Sequence, residues 1–460
     1  MMDSRSRAVA PCSPRASAQP VEVHLSWKWM AFSFVGLLGC TAGTSGGGLG
    51  DVAPMDVSSG APDVPAAAAV ETASPPAATC TDTLKNGDET DADCGGAKCP
   101  ACALGRACKV DGDCATGKCK AQGCVKPLGA LIGTGDGTPT SVTLTVIETT
   151  KLNDPADLEF DPKEPTRLWV VNRKTDALTL ITHPGTPQQT TQAFLDFSMH
   201  FLEEVVSLSF SGSGVFSTCG DTRNTYDGLA LPNDFMGPAL WPADPADYAK
   251  YGPDASAVHL DMLHNTPYCM GVLSAGDNAV WVVNGLGGSL DWYDFRVPHP
   301  HGTDNHVDGT KRRYAGIGLK RLASVPSHLV AGPDGELYIA DAGNARVVRV
   351  DTASSTYAGK KATYPDEQPI ETYTGSTVTV IVDPTLGVVF APSGLALHEG
   401  YLYVSDYANG LLTAFSLDGK RRNVLDTGLG EKALGGLTIG PDGRLWLVDR
   451  VSNRVLRLDP

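Results

Sequence analysis

The chain has 460 residues, 19% of them charged, with a formal net charge of −16 at pH 7. An acidic balance of this size argues against nucleic acid or anionic lipid headgroups as partners, because both reward a basic face. Gly and Pro, at 51 and 32 residues, suit a chain of short strands and many turns.

At the start, WMAFSFVGLLGC (29–40) is an apolar segment of export-signal length, preceded by Lys28 and by Arg5, Arg7 and Arg15. It is too short to span a bilayer. Its end, Leu37-Leu38-Gly39-Cys40, resembles a bacterial lipobox. The resemblance implies a signal peptide over 1–39, cut before a lipidated Cys40. Thr41 rather than Asp follows the Cys, which by the same analogy implies the outer membrane or outer surface of a Gram-negative bacterium. Contact with a membrane is then expected only through the lipid anchor. Residues 40–79 are mostly Ala, Pro, Gly, Ser, Thr, Val and Asp. Such a segment cannot bury enough apolar surface to offset its ordering entropy, so it reads as a disordered tether.

A second unit spans 80–125 and carries Cys80, Cys94, Cys99, Cys102, Cys108, Cys114, Cys119 and Cys124. An even number of cysteines in a short exported segment reads as a disulfide framework for a unit too small for its own core, with the pairing left open. The spacing Cys99-Pro-Ala-Cys102 also fits a zinc knuckle. The acidic run KNGDETDADCGG (85–96) has ligand types for calcium, although solvated acidic loops are commoner. The unit resembles a short Cys-rich module of secreted myxobacterial proteins, which implies a surface location and no activity.

From 138 to 460 the chain repeats itself. PSHLVAGPDGELYIADAGNARVVRVD (326–351), PSGLALHEGYLYVSDYANGLLTAFSLDG (392–419) and LGGLTIGPDGRLWLVDRVSNRVLRLD (434–459) each give a short apolar strand, a Gly-centred turn and two alternating strands. Less regular copies lie at 155–181, 206–221 and 267–295. Aligned inner-strand starts are Asp157, Ser207, Cys269, His328, Gly394 and Gly436. Repeats of this length, each a small sheet that needs neighbours, predict an all-β fold: a six-bladed β-propeller of four-stranded blades. The last unit ends one strand short, and the alternating segment Ser141–Ile147 is expected to supply it and close the ring. The pattern PxxLxxxPDGxLYxxDxxNxRVxxx resembles NHL repeats and their relatives, the gluconolactonase-type lactonases and the peptidyl-hydroxyglycine lyase. That resemblance implies the scaffold and leaves the reaction open.

Second strands are expected to end at Asn172, Cys219, Asn284, Asp341, Asp406 and Asp449 on the ligand-binding face of the channel. Asp341 and Asp449 are read as turn caps paired with Arg346 and Arg454. Arg173, Asn284, Tyr407 and Arg450 are the expected ligand contacts at the channel mouth. The insertion between Gly220 and Ala255 is expected to build much of that mouth. Cys219 and Cys269 fall at one face of adjacent units and are expected to form a disulfide. His259, His264, His299, His301 and His306 crowd one window, where HLDMLH (259–264) has ligand-type residues and HPHGTDNH (299–306) is dense enough to bind zinc or copper. The 296–309 loop is expected on the face opposite to His264, which argues against one site from both groups. Asp157, His264 and His328 are the candidate set for a divalent metal, zinc or calcium. The resemblance to the lyase implies channel histidines, but five of the six inner-strand starts are not His, and the lactonase Glu is replaced by Asp157.

Two functions follow as expectations. One is a monomeric surface module that binds a small molecule, peptide or glycan, or packs surface proteins. The other is a metal-dependent lyase or lactonase with its ion in the channel.

Overall fold

The structure is a computed structural model that describes residues 79–125, 130–133, 142–198, 200–223, 233–363 and 367–459. The expected signal segment, Cys40 and nearly all of the expected tether lie outside the described residues. No helix among the described residues is long and apolar enough to cross a membrane.

In the Cys-rich unit the bonds are Cys80–Cys99, Cys94–Cys102, Cys108–Cys119 and Cys114–Cys124. The buried cystines are themselves the core, since Cys102, Cys108, Cys114 and Cys124 are the buried apolar cluster of this unit. Cys99 and Cys102 sit in different disulfides, so the zinc-knuckle alternative does not hold. The acidic residues cap loops: Asp93 accepts from Thr83 N at 3.0 Å, Asp88 from Ala97 N at 3.0 Å and Asp91 from Ala107 N at 2.8 Å.

Residues 143–459 form an all-β, six-bladed propeller. Among the described residues its blades are four-stranded sheets, except the third, which has six strands. Strand Thr143–Glu148 pairs antiparallel with Arg454–Asp459, so the first strand of the ring completes the last blade. Ring closure leaves no long free edge at the seam.

The local reasons are legible in the residues. Gly-Pro-Asp-Gly turns join first and second strands at 440–443 and 332–335. Gly443 and Gly335 take positive φ of 72° and 86°, and Gly443 N donates to Gly440 O at 2.9 Å. Second strands such as Leu445–Asp449 are buried on both faces because blades stack face to face. Between blades 1 and 2, Trp169 packs on Phe216 at 5.1 Å and on Tyr248 at 5.5 Å. Between blades 6 and 1, Trp446 meets Phe160 edge-on at 5.1 Å. Each such fully buried side chain contributes about 1.5–3 kcal/mol.

Two features depart from four-stranded regularity. The long spacing between units four and five contains a hairpin, Thr356–Lys361 with Ile370–Thr374. It leaves blade 4 and adds in parallel to the outer strand of blade 3, Thr310–Ala315. In blade 2 the outer strand is only Asp261–Met262, so its edge is left to other segments. Helix Pro245–Tyr251 belongs to the Gly220–Ala255 insertion. It buries Tyr248 against Phe194, with ring centroids 4.3 Å apart, and Asp254 bridges Leu195 of blade 1. This part of the insertion therefore packs against the outer side of blades 1 and 2 and does not build the mouth.

Candidate functional site

The upper face is the one where first strands begin. In register, the channel-facing residues there are Asp157, Ser207, His328, Gly394 and Gly436, with Gly271 in blade 3. The first strands of blades 1, 2, 3, 5 and 6 share a bulge after their first residue, and Cys269 stands at the level of Pro155, Val205, Pro392 and Leu434, ahead of that position. The second strand of blade 2 likewise ends at Gly220, one residue past Cys219. Cys219 and Cys269 form the expected disulfide, both buried.

Asp157 is fully buried and accepts from Leu158 N at 2.9 Å, Ser207 Oγ at 3.1 Å and Leu208 N at 3.2 Å. Burial pushes its carboxyl up, against those hydrogen bonds and His328, which lower it. His328 Nδ1 accepts from Leu395 N at 2.9 Å, so the ring proton is on Nε2, which faces Asp157 Oδ1 at 3.6 Å. Here the channel is narrow: a Cβ on Gly436 would stand 1.9 Å from Asp157 Oδ1, and one on Gly271 2.0 Å from Ser327 O.

Below this level the channel widens into a funnel of about 200 Å³, lined by first-strand residues of every blade, among them Glu159, Ser209, Leu273, Val330, Leu397 and Thr438. Glu159 accepts from Phe210 N at 3.0 Å and from Ser209. Burial, with a smaller push from Asp157, raises its carboxyl to about 8, so it is mostly protonated at pH 7. It faces the funnel half-buried. Glu159 is absent from the sequence-based candidates. Its signal is the two-residue period of a strand, which puts it on the same side as Asp157.

Arg173, Tyr407 and Arg450 converge at the upper mouth. Arg173 pairs with Asp154 at 3.2 Å and Glu204 at 3.1 Å. Arg450 binds Asp154 at 2.8 Å and lies 5.5 Å from the Tyr407 ring. The segment between blades 3 and 4 crosses this mouth: Ser324 O accepts from Arg450 at 2.5 Å, and Ser324 N donates to Asp221 at 2.6 Å. Arg321 also binds Asp221, at 2.5 Å, and stacks 3.9 Å over Tyr268. Asn284 does not join them. It is buried, with Nδ2 on Asp291 at 3.1 Å and Oδ1 on Gly287 N at 2.8 Å. Asp341 and Asp449 hold Arg346 and Arg454 at 2.7 and 2.5 Å, as turn chemistry requires.

His264 is not in the channel. Its Nδ1 meets Glu367 at 2.5 Å, and Glu367 also pairs with the buried Lys311. Burial alone would raise the Glu367 carboxyl, but hydrogen bonds and charge from His264 and Lys311 outweigh it and hold it at about 2. Of the candidate metal set, Asp157 and His328 come together and His264 stands apart at the outer edge of blade 2.

The two histidine groups, expected on opposite faces, meet. The 296–309 loop folds sideways onto blade 2, with His299 N donating to Leu260 O at 3.0 Å and Gly302 N to His259 O at 3.3 Å. This brings the His299 ring within 5.0 Å of His259, and the His306 ring within 5.5 Å of His264. His301 Nδ1 lies 2.9 Å from Val258 O.

No protein-family model matches the chain, and no curated protein is similar to it. Solved structures do align over 69% of it. Virginiamycin B lyase from Staphylococcus aureus is 12% identical, with 99% of its chain covered and a TM-score of 0.40. A protein of unknown function from Bacteroides thetaiotaomicron is 11% identical, with 76% covered and a TM-score of 0.44. The calcium-binding protein regucalcin from Agrobacterium tumefaciens is 16% identical, with 93% covered and a TM-score of 0.40. These likenesses are of fold, and the properties in those names belong to those proteins.

Proposed function

We propose that this protein is an exported surface lipoprotein, acylated at Cys40, whose NHL-like propeller binds a small hydroxyl-bearing ligand of carbohydrate type. The observation that carries the binding reading is the funnel, where Glu159 stands with Ser209 and Thr438 among the lining residues. A neutral carboxyl both donates and accepts, and Ser209 and Thr438 add hydroxyls beside apolar wall. At about 200 Å³ the space is below the range of drug-sized pockets, about 300–1,000 Å³, which favours a small molecule. A peptide or surface protein would instead meet the upper face, where Arg173, Arg450 and Tyr407 are already engaged in internal contacts.

The test is a thermal-shift screen of the full chain with monosaccharides and polyols at pH 7. A stabilising ligand is expected, with the shift lost in Glu159→Ala. No stabilisation by any of them would move the reading to a scaffold that packs surface proteins. Incorporation of labelled palmitate, lost in Cys40→Ser, tests the anchor separately.

The second reading, a lyase or lactonase with a divalent ion in the channel, is favoured by the pairing of Asp157 with His328. It is weakened because Asp157 already accepts three hydrogen bonds and His328 has one nitrogen engaged. An ion lost on His328→Gln would support it.

A further inference from the structure

The rim between blades 2 and 3 holds side chains that the channel does not use. Asp261 is fully buried in the outer strand of blade 2. Its Oδ1 accepts from Met262 N at 2.8 Å and faces His306 Nδ1 at 2.9 Å. Its other oxygen, Oδ2, is buried without a hydrogen-bond partner among the described residues, and so is His299 Nε2. His299 Nδ1 lies 2.9 Å from the carbonyl of Pro300, which can only accept. The proton is therefore on Nδ1, and Nε2 presents a bare lone pair. One ligand atom each from Asp261, His299 and His306 lie within 4.8 Å of one another.

Two buried acceptors without a donor between them are destabilising. A cation satisfies both.

We propose that Asp261, His299 and His306 form a binding site for a divalent transition metal of the zinc class. Imidazole nitrogen and carboxylate oxygen are the donors such an ion takes, whereas calcium and magnesium prefer oxygen alone. The Nδ1–H contact of His299 with a backbone carbonyl is the outer contact that fixes a ligating imidazole's tautomer. Around a tetrahedral ion with bonds of about 2.0–2.1 Å, ligand atoms stand about 3.3 Å apart. Closure thus asks for an inward shift of at most about 1.5 Å, within reach of side-chain rotation by the two loop-borne imidazoles. Three protein ligands leave a fourth position, as in zinc sites open to solvent. His306 also lines a cleft of about 770 Å³ with Phe201, Tyr251, His259 and His301, so water or a small ligand reaches the ion. The site is separate from the channel and stands whether or not the funnel binds a ligand.

The test uses untagged full-length protein, with metal analysis after dialysis and zinc titration against a chromophoric chelator. About one zinc per chain is expected, and cobalt should give the intense visible bands of a four-coordinate site. His299→Gln and His306→Gln should each weaken zinc binding at least tenfold, whereas His328→Gln in the channel should not. His306 is partly exposed, so its variant should fold, and the wild-type titration needs no variant. Wild-type protein that takes up neither zinc nor cobalt at micromolar concentration would overturn the proposal. So would unchanged affinity in both rim variants, or loss of the ion only in His328→Gln.

Discussion

Arg450 Nη1 donates to the carbonyl of Ser324 at 2.5 Å, joining blade 6 to the segment between blades 3 and 4. The same guanidinium binds Asp154 at 2.8 Å with its side chain almost fully buried. The contact closes the upper mouth from one side of the ring to the other. Arg450→Ala should destabilise the fold by about 2–3 kcal/mol, the scale of hydrogen bonds to a charged group, since Arg173 still neutralises Asp154. Amide exchange across 320–327 should speed up. Unchanged exchange there would show that the segment holds itself.

Glu159 makes stability depend on pH in a defined direction. Its carboxyl is raised from 4.5 to about 8 in the folded protein. Between those values the folded state holds a proton that the unfolded chain has lost, so stability falls as pH rises. The contribution is fully present below about 4.5 and gone above about 8. Glu159→Gln should flatten this part of the midpoint-versus-pH curve. A variant with the wild-type slope over that window would mean that channel water keeps the carboxyl ordinary.

Glu367 ties the hairpin of Thr356–Lys361 and Ile370–Thr374 to His264 of blade 2 and Lys311 of blade 3. Its carboxylate faces His264 and Lys311, and the Lys311 side chain is fully buried. Glu367→Gln leaves that ammonium without its counter-charge, which costs about 3–5 kcal/mol when one partner of a buried pair is removed. Denaturant unfolding should show the loss, and Glu367→Gln combined with Lys311→Met should recover much of it. Equal losses in the single and double variants would exclude a charge effect.

The Cys219–Cys269 bond closes a loop with a sequence separation of 50 residues. In the chain-entropy model a loop of that length contributes about 4 kcal/mol. The double replacement Cys219→Ser with Cys269→Ser should lower the unfolding midpoint by a corresponding amount while far-UV spectra keep their β signature. A loss below about 1 kcal/mol would mean that the unfolded chain is already compact there.

Much of the scaffold is legible in the sequence. The alternation in segments such as Leu445–Asp449 and the PDG turns named the blade strands, and the missing last strand led to Thr143–Glu148. The Cys219–Cys269 bond followed from two cysteines at equivalent ends of adjacent blades. The hairpin Thr356–Lys361 with Ile370–Thr374 was not legible, because its partner strand is Thr310–Ala315, in another blade. Glu159 could have been found from Asp157 by counting two residues along a strand. The ligand types of the rim cluster were legible in HLDMLH and HPHGTDNH, but the meeting of the two segments was not. Nothing in HPHGTDNH says that the loop turns sideways, and that direction rests on the bonds from His299 N and Gly302 N to blade 2.

The sequence by itself determined the all-β repeat, the blade number and the closure of the ring, because strand period, turn chemistry and repeat length are local properties of the chain. Only the tertiary structure decided which chemistry-bearing residues meet. It narrowed the channel around Asp157 and His328, bound the mouth arginines to acidic neighbours, and drew Asp261, His299 and His306 to one point. Those meetings depend on where loops and inserted strands pack between blades, and the partners lie tens to hundreds of residues apart, beyond any local pattern.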